Sequence, residues 1–296
     1  MSMNHGFHCF GSGSQRIRTG MTSKFCVVGY PIKHSLSPVI HKAAYTHLGL
    51  DFSYERMEVP LGGLRAVMED KSISGLSVTM PLKYEAFDLS DSHSPEALKT
   101  GVVNTLLRSP NGWVGHNTDV LGFAKCFNQV PDSQRITIVG SGATARSAAL
   151  AISRVFPAAK VSVVGRSASS LVEFIRYLKS LGISSEVLEP EASSLVGADL
   201  VVSTVPAGAF IELWDQLGAS TSANHGLLFD VAYDPWPSMA SRAWAGKTIS
   251  GLELLIWQAI EQVKLFVVST GHSVPIVDQE LYESMIGAVA DQSRSK

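Results

Sequence analysis

The sequence predicts an α/β protein in two parts: an N-terminal α/β domain and a Rossmann-like dinucleotide-binding domain. Three observations carry this. The length of 296 residues, at ~150 per domain, makes about two domains. Short apolar runs alternate with segments of helical spacing, the rhythm of βαβ units and a mainly parallel sheet. The strand-like run Ile136-Thr137-Ile138-Val139 leads directly into Gly140-Ser141-Gly142-Ala143-Thr144-Ala145, a glycine-rich turn of the dinucleotide-binding type.

The elements follow in order. Phe25–Gly29 is a buried strand stopped by Gly and then Pro31. Pro38–Leu48 has helical spacing, Phe52–Val59 alternates as a strand, and Ile73–Val78 is a strand ending at Thr79-Met80-Pro81. In the second half, Ile136–Val139, Val161–Val164, Leu200–Val205 and Leu227–Val231 read as strands, with helices over Arg146–Val155 and Leu171–Leu181. After Gly251, apolar residues from Leu252 to Val267 cover so broad a helical face that the helix is expected to be buried. Gln258 and Gln262 lie one turn apart on it and are placed to face a polar cleft.

Composition bounds the function. Hydrophobic residues are 45% and charged residues 17%, against ~25% charged in an average globular protein, which excludes a disordered chain. Lys+Arg number 24 and Asp+Glu 26, a formal charge of −2, so there is no global footprint for nucleic acid. Any anionic ligand must be held locally. Cys9, Cys26 and Cys126 are an odd number at wide spacing, which suits a reduced, cytoplasmic protein. Neither C-x-x-C nor H-E-x-x-H occurs, and no metal is expected. No membrane segment is expected either, since the nearest apolar run, Leu252–Val268, carries Glu253, Glu261 and Lys264. Residues 1–23 read as a disordered polar tail without the apolar stretch of a secretory signal, and Met21 is an alternative start.

In the fingerprint Gly140-x-Gly142-x-x-Ala145 the first Gly permits a tight turn. The second lets pyrophosphate approach the backbone, and the helix N-terminus supplies N–H donors. An NAD site usually places an acid about 20 residues further on, for the ribose 2′-hydroxyl. Here the second strand ends in Gly165-Arg166-Ser167 instead. A guanidinium beside hydroxyls suits a 2′-phosphate, so NADP is expected over NAD; the bland alternative is a solvated Arg in a polar loop.

Three polar clusters precede this domain: Ser35-Leu36-Ser37; Thr79 to Lys83; and Asn104-Thr105 with Asn117-Thr118-Asp119. Singly, each reads as turn or cap chemistry. Together they supply acid/base groups and many directed hydrogen-bonding groups.

At this point the chain resembles the shikimate dehydrogenases. The resemblance rests on Gly29-Tyr-Pro-Ile-Lys-His-Ser-Leu-Ser-Pro38, Gly75-Leu-Ser-Val-Thr-Met-Pro-Leu-Lys83, Gly101-Val-Val-Asn-Thr105 and Gly115-His-Asn-Thr-Asp-Val-Leu-Gly122. The glycine-rich turn follows, then Ser203-Thr-Val-Pro206, Asp230-Val-Ala-Tyr-Asp-Pro235 and Gly251-Leu-Glu-Leu-Leu-Ile-Trp-Gln258, in family order from about Phe25 to Gly271. It implies reversible, NADP-dependent reduction of 3-dehydroshikimate to shikimate, a step of chorismate and aromatic amino-acid biosynthesis. It also implies roles for particular residues. Lys83 and Asp119 would be the catalytic pair, and Ser35 and Ser37 would hold the substrate carboxylate. Thr79, Asn104, Tyr233 and Gln258 would line the substrate pocket. Gly140, Ser141, Gly142, Ala143 and Thr144 would cradle pyrophosphate. Arg166 and Ser167, after Gly165, would meet the 2′-phosphate, and Val231 and Gly251 would lie at the nicotinamide end.

Two positions depart from the family pattern. Ser77 stands where the family usually has Asn, removing an amide donor from the lysine loop, and the cofactor loop is Gly-Arg-Ser rather than Asn-Arg-Thr. The Ser-Val-Thr-Met-Pro form, with Tyr-Asp-Pro-Trp-Pro at 233–237, matches one branch of the family. Alternative readings are a quinate or quinate/shikimate dehydrogenase using NAD, an aminoshikimate dehydrogenase, and a non-catalytic sensor of the same ligands. The expected organisation is a substrate-binding catalytic domain over 24–123, completed by helices within 252–296, and a dinucleotide domain over 124–251. The active site is expected in the cleft between them. The expected partner is a small-molecule substrate alone, bound by a monomer or homodimer.

Overall fold

A computed structural model describes residues 23–219 and 226–294; the polar N-terminal segment over 1–22, with Cys9 and Met21, lies outside the described residues. The first sheet is built on β1 (Ser23–Gly29), β2 (Phe52–Glu58) and β3 (Ile73–Val78), crossed by α1 (Ser37–His47) and α2 (Leu64–Glu69). Then follow α3 (Lys83–Leu89), the short β4 (Ser92–His93), α4 (Pro95–Thr100), β5 (Thr105–Ser109) and β6 (Gly112–His116). The strand order is β2-β1-β3-β5-β6-β4. β1 is parallel to β2 and β3, but β5 runs antiparallel to both β3 and β6. This sheet is therefore mixed, where the sequence rhythm predicts a mainly parallel one. The cause is local: the two-residue link Pro110-Asn111, followed by Gly112 at φ +109°, turns the chain back as a hairpin with no helix to cross over.

The helix α5 (Asp119–Phe127) leads to the second sheet and contains position 124, where the sequence reading begins the second domain. The second sheet alternates β7 (Arg135–Val139), α6 (Ala143–Val155), β8 (Lys160–Val164), α7 (Ala168–Ser180) and β9 (Ser185–Leu188). After a 3₁₀ turn at Ala192–Leu195 come β10 (Leu200–Ser203), α8 (Ile211–Ala219), β11 (Leu227–Asp230), α9 (Met239–Ala243) and β12 (Thr248–Ser250). All pairs are parallel, in the order β12-β11-β10-β7-β8-β9. In sequence ranks this is the 3-2-1-4-5-6 order of a doubly wound nucleotide-binding sheet, whose ligand crevice opens where the order reverses. Here that place is between the C-terminal ends of β7 and β10.

Two helices end the chain, α10 (Gly251–Ser269) and α11 (Asp278–Arg294). They return to the first sheet, α10 against β3, β5 and α1, and α11 against α1. Phe266 of α10 stacks on Phe25 of β1 with ring centroids 4.3 Å apart. Phe123 and Phe127 of α5 meet Phe229 of β11 at 5.7 and 5.8 Å. One hydrophobic core thus runs from β1 through α10 and α5 into the second sheet. Polar ties flank it: Asn117 Nδ2 donates to Ser147 Oγ (3.0 Å), Arg146 Nη1 to the Thr100 carbonyl (3.2 Å), and Arg154 pairs with Glu96 (2.9 Å).

Candidate active site

Lys83 and Asp119 each open a helix, α3 and α5. Asp119 thus lies in the first turn of α5, where the helix N–H groups are unpaired. Lys83 Nζ donates to Asp119 Oδ2 at 2.6 Å, with the two side chains 12% and 8% exposed. The other carboxylate oxygen, Oδ1, accepts from Asn104 Nδ2 at 2.8 Å. The Asn104 carbonyl oxygen in turn accepts from the Thr118 backbone N–H (2.8 Å) and the Thr105 hydroxyl (2.8 Å). These fix the direction of its amide. Gln258, carried in by α10, brings Oε1 to 3.4 Å from both Asn104 Nδ2 and Thr118 Oγ1, while its Nε2 donates to the Leu255 carbonyl (2.7 Å). Lys83, Asp119, Asn104 and Gln258 thus form one constellation. Thr79 is half-buried on the turn that leads from β3 to Lys83.

Ser35 lies just before α1 and Ser37 opens it, and both side chains are buried. The Ser37 N–H donates to Ser35 Oγ (3.3 Å), and Arg56 of β2 donates twice to the Ser35 carbonyl, from Nε at 2.8 Å and Nη2 at 2.5 Å. The Ser37 carbonyl accepts from His41 Nδ1 at 2.9 Å. Tyr233 arrives from beyond β11. Burial pushes its phenol up, opposed by hydrogen bonds from the Leu36 backbone and the Ser35 side chain. The two serines and Tyr233 therefore make a second cluster across the cleft between the sheets.

The glycine-rich turn occupies the crevice between β7 and β10. Gly140 has φ +108°, and a Cβ there would stand 2.6 Å from Thr204 Oγ1, so both backbone and space require glycine. Gly142 caps α6 with no side-chain hydrogen bond and faces open space. Its neighbours Ser141, Ala143 and Thr144 are half-buried. The uncapped N–H groups of a thirteen-residue helix beside open space are the donor set that a pyrophosphate takes. Arg166 is exposed, with its guanidinium carbon 5.0 Å from the Phe210 ring centroid. Ser167 is the N-cap of α7, its Oγ accepting from the Ser170 N–H at 3.3 Å. Gly165 is buried, and Leu171 fills the space that a side chain at 165 would take. Val231 and Gly251 touch one another: a Cβ on Gly251 would stand 2.0 Å from the Val231 carbonyl oxygen. These residues line the C-terminal edge of the second sheet, as a dinucleotide lying across it demands.

Two supporting residues escaped the sequence reading, Arg56 and Tyr54, both on β2. The signal was a charge and a phenol inside an alternating strand. Arg56 fixes the serine loop, and the Tyr54 hydroxyl donates to Ser77 Oγ at 2.7 Å.

Comparison with known proteins agrees with this geometry. The model of the shikimate dehydrogenase substrate binding domain matches residues 27–106, and that of the ornithine cyclodeaminase/mu-crystallin family matches residues 119–219. The crystal structure of Mycobacterium tuberculosis shikimate dehydrogenase is 33% identical with a TM-score of 0.76, covering 91% of this chain and 99% of that one. Thermus thermophilus shikimate 5-dehydrogenase, solved in complex with NADP(H) and shikimate, is 26% identical with a TM-score of 0.73, covering 90% of this chain and 100% of that one. The Staphylococcus aureus protein named shikimate dehydrogenase (NADP(+)) is 29% identical over 252 residues, 82% of this chain and 92% of that one. Likeness over nearly the full length of such proteins, on a fold that joins a lysine–aspartate pair to a dinucleotide crevice, places this chain in the shikimate dehydrogenase family.

Proposed function

We propose that this protein catalyses the reversible, NADP-dependent reduction of 3-dehydroshikimate to shikimate, as a cytoplasmic enzyme of aromatic amino-acid biosynthesis. The observation that carries the reading is the 2.6 Å Lys83–Asp119 pair, set where the first sheet faces the dinucleotide crevice. A bound NADPH supplies the hydride. Hydride arrival at a ketone carbon builds negative charge on its oxygen, so a donor must stand there. The Lys83 ammonium gives that proton, and stabilises the developing charge before it does so. Asp119 holds the ammonium in place through the 2.6 Å bond to Oδ2. In the oxidative direction Lys83 takes the proton back.

A substrate with one carboxylate and several hydroxyls needs directed polar partners. The hydroxyls of Ser35 and Ser37 are assigned to the carboxylate, and Thr79, Asn104, Tyr233 and Gln258 to the ring side. Such a site rejects analogues that lack a hydroxyl, because its own buried groups are then left unpaired. Gly140 to Thr144 are assigned to pyrophosphate, Arg166 with the exposed N-terminus of α7 to the 2′-phosphate, and Val231 and Gly251 to the nicotinamide end. The substrate-binding domain is taken as 24–123 with 252–296, and the dinucleotide domain as 124–251. Among the described residues no helix is long and apolar enough to cross a membrane.

The test is an assay of purified protein with shikimate or quinate, each with NADP or NAD, following reduced-nicotinamide absorbance. Turnover of shikimate with NADP is expected. Activity confined to quinate with NAD would transfer the protein to the sister activity. Ligand binding without turnover in any combination would make it a sensor.

A further inference from the structure

The broad apolar face of α10 carries one polar side chain that the chemistry above does not use. Gln262 is 2% exposed, one turn beyond Gln258. Its amide sits in a row of hydrogen bonds with one direction. The Tyr54 hydroxyl donates to Ser77 Oγ (2.7 Å), and the Ser77 hydroxyl donates to Gln262 Oε1 (2.7 Å). Gln262 Nε2 donates to Thr105 Oγ1 (2.9 Å), whose hydroxyl donates to Asn104 Oδ1 (2.8 Å). Asn104 Nδ2 donates to Asp119 Oδ1 (2.8 Å), and the other oxygen of that carboxylate takes Lys83.

The direction is set by Gln262. Its Nε2 also donates to the Asn104 backbone carbonyl at 3.2 Å, and a carbonyl only accepts. Turned over, the Gln262 amide would put two carbonyl oxygens together. It would also draw the Thr105 proton away from Asn104. Asn104 Oδ1 would keep the Thr118 backbone N–H (2.8 Å) but lose the Thr105 donor, loosening the hold that keeps Nδ2 toward Asp119. Ser77 joins this row at both ends of its hydroxyl, accepting from Tyr54 and donating to Gln262.

We infer that Gln262 is a positioning residue of the active site: acting through Thr105, it completes, with the Thr118 backbone N–H, the hold that keeps the Asn104 N–H₂ toward Asp119, so that Asp119 Oδ2 is kept for Lys83. The inference rests on the proposed function, and its test separates the two.

Gln262→Met keeps length and removes the amide; Thr105→Val keeps shape and removes the hydroxyl, and serves if the first variant fails to fold. Each is expected to lower kcat/KM for shikimate about 10- to 100-fold, the scale of a misplaced catalytic group, with KM for NADP unchanged. Added to Asn104→Ala, Gln262→Met is expected to cost nothing more, since both act on one amide. Full multiplication of the two losses, or Gln262→Met activity within about two-fold of wild type, overturns the inference. Exchange of the Asn104 side-chain amide protons, read by NMR, needs no turnover. Protection present in the wild type and lost in Gln262→Met supports the role, and protection unchanged refutes it. A wild type inactive with shikimate would defeat the functional reading alone.

Discussion

Each residue assigned to binding an anion here works by local chemistry, which is how a chain of net charge −2 can take a carboxylate and a dinucleotide. Arg166 is the sharpest case. It stands two residues beyond β8, where an NAD-binding sheet would place an acid, and its guanidinium lies over Phe210. Arg166→Ala should therefore raise KM for NADP by at least ~10-fold, the loss of a charge-assisted bidentate contact, and leave KM for NAD nearly unchanged. Steady-state kinetics with both cofactors checks this; equal effects would remove the 2′-phosphate contact. Lys83 and Asp119 were legible only through the ordered motifs of the family resemblance, since each alone reads as turn or cap chemistry; the glycine turn was legible because strand, loop and helix follow one another around it. Ser167 was legible only in part. The resemblance gives its hydroxyl to the 2′-phosphate, and in the structure that hydroxyl caps α7.

Among the elements, β7, β8, β10 and β11 at the centre of the second sheet were readable to within two residues, because buried parallel strands are near-continuous apolar runs; the more exposed edge strands β9 and β12 and the short helices α8 and α9 gave no such signal. The β5–β6 hairpin was not, though it carries Asn104 at its entry and Asp119 just beyond its exit. The signal existed in Pro110-Asn111-Gly112 between two short runs, but each run holds a polar residue at the site. α10 shows the converse: its apolar face foretold burial yet hid Gln262 among core residues. This helix carries the site and returns the chain to the first sheet. Its start is fixed by Ser250, whose Oγ accepts from the Leu252 N–H at 3.2 Å. Ser250→Ala should cost about 1 kcal/mol in urea unfolding, the usual worth of an N-cap, against no change in a control such as Ser180→Ala on the α7 surface.

Across the whole molecule, one core and one layer of buried polar groups join the two sheets, and that layer makes stability depend on pH. His41 of α1 is fully buried, stacked on Tyr54 at 3.9 Å, with Nδ1 bonded to the Ser37 carbonyl. Its buried Nε2 has no hydrogen-bond partner among the described residues. Burial lowers its pKa to about 4, whereas an unfolded His titrates near ~6.5. Between those values the unfolded chain takes a proton that the native fold refuses. Stability is therefore fully present above about pH 6.5 and falls as pH drops toward 4, by about 3 kcal/mol in all. His41→Asn, which keeps a donor for the Ser37 carbonyl and cannot titrate, should flatten that slope in urea unfolding at pH 4.5 and 7; an unchanged slope would count against a buried neutral His41. The central claim is that Lys83, held by Asp119 at the mouth of the dinucleotide crevice, moves the proton of a shikimate–NADP reaction. The direct measurement is NADPH formation from shikimate by wild type and Lys83→Met at saturating NADP. The account predicts kcat lower by ~10²- to 10⁴-fold in the variant, the usual worth of a positioned acid or base. A Lys83→Met enzyme that turns over shikimate at the wild-type kcat would contradict it.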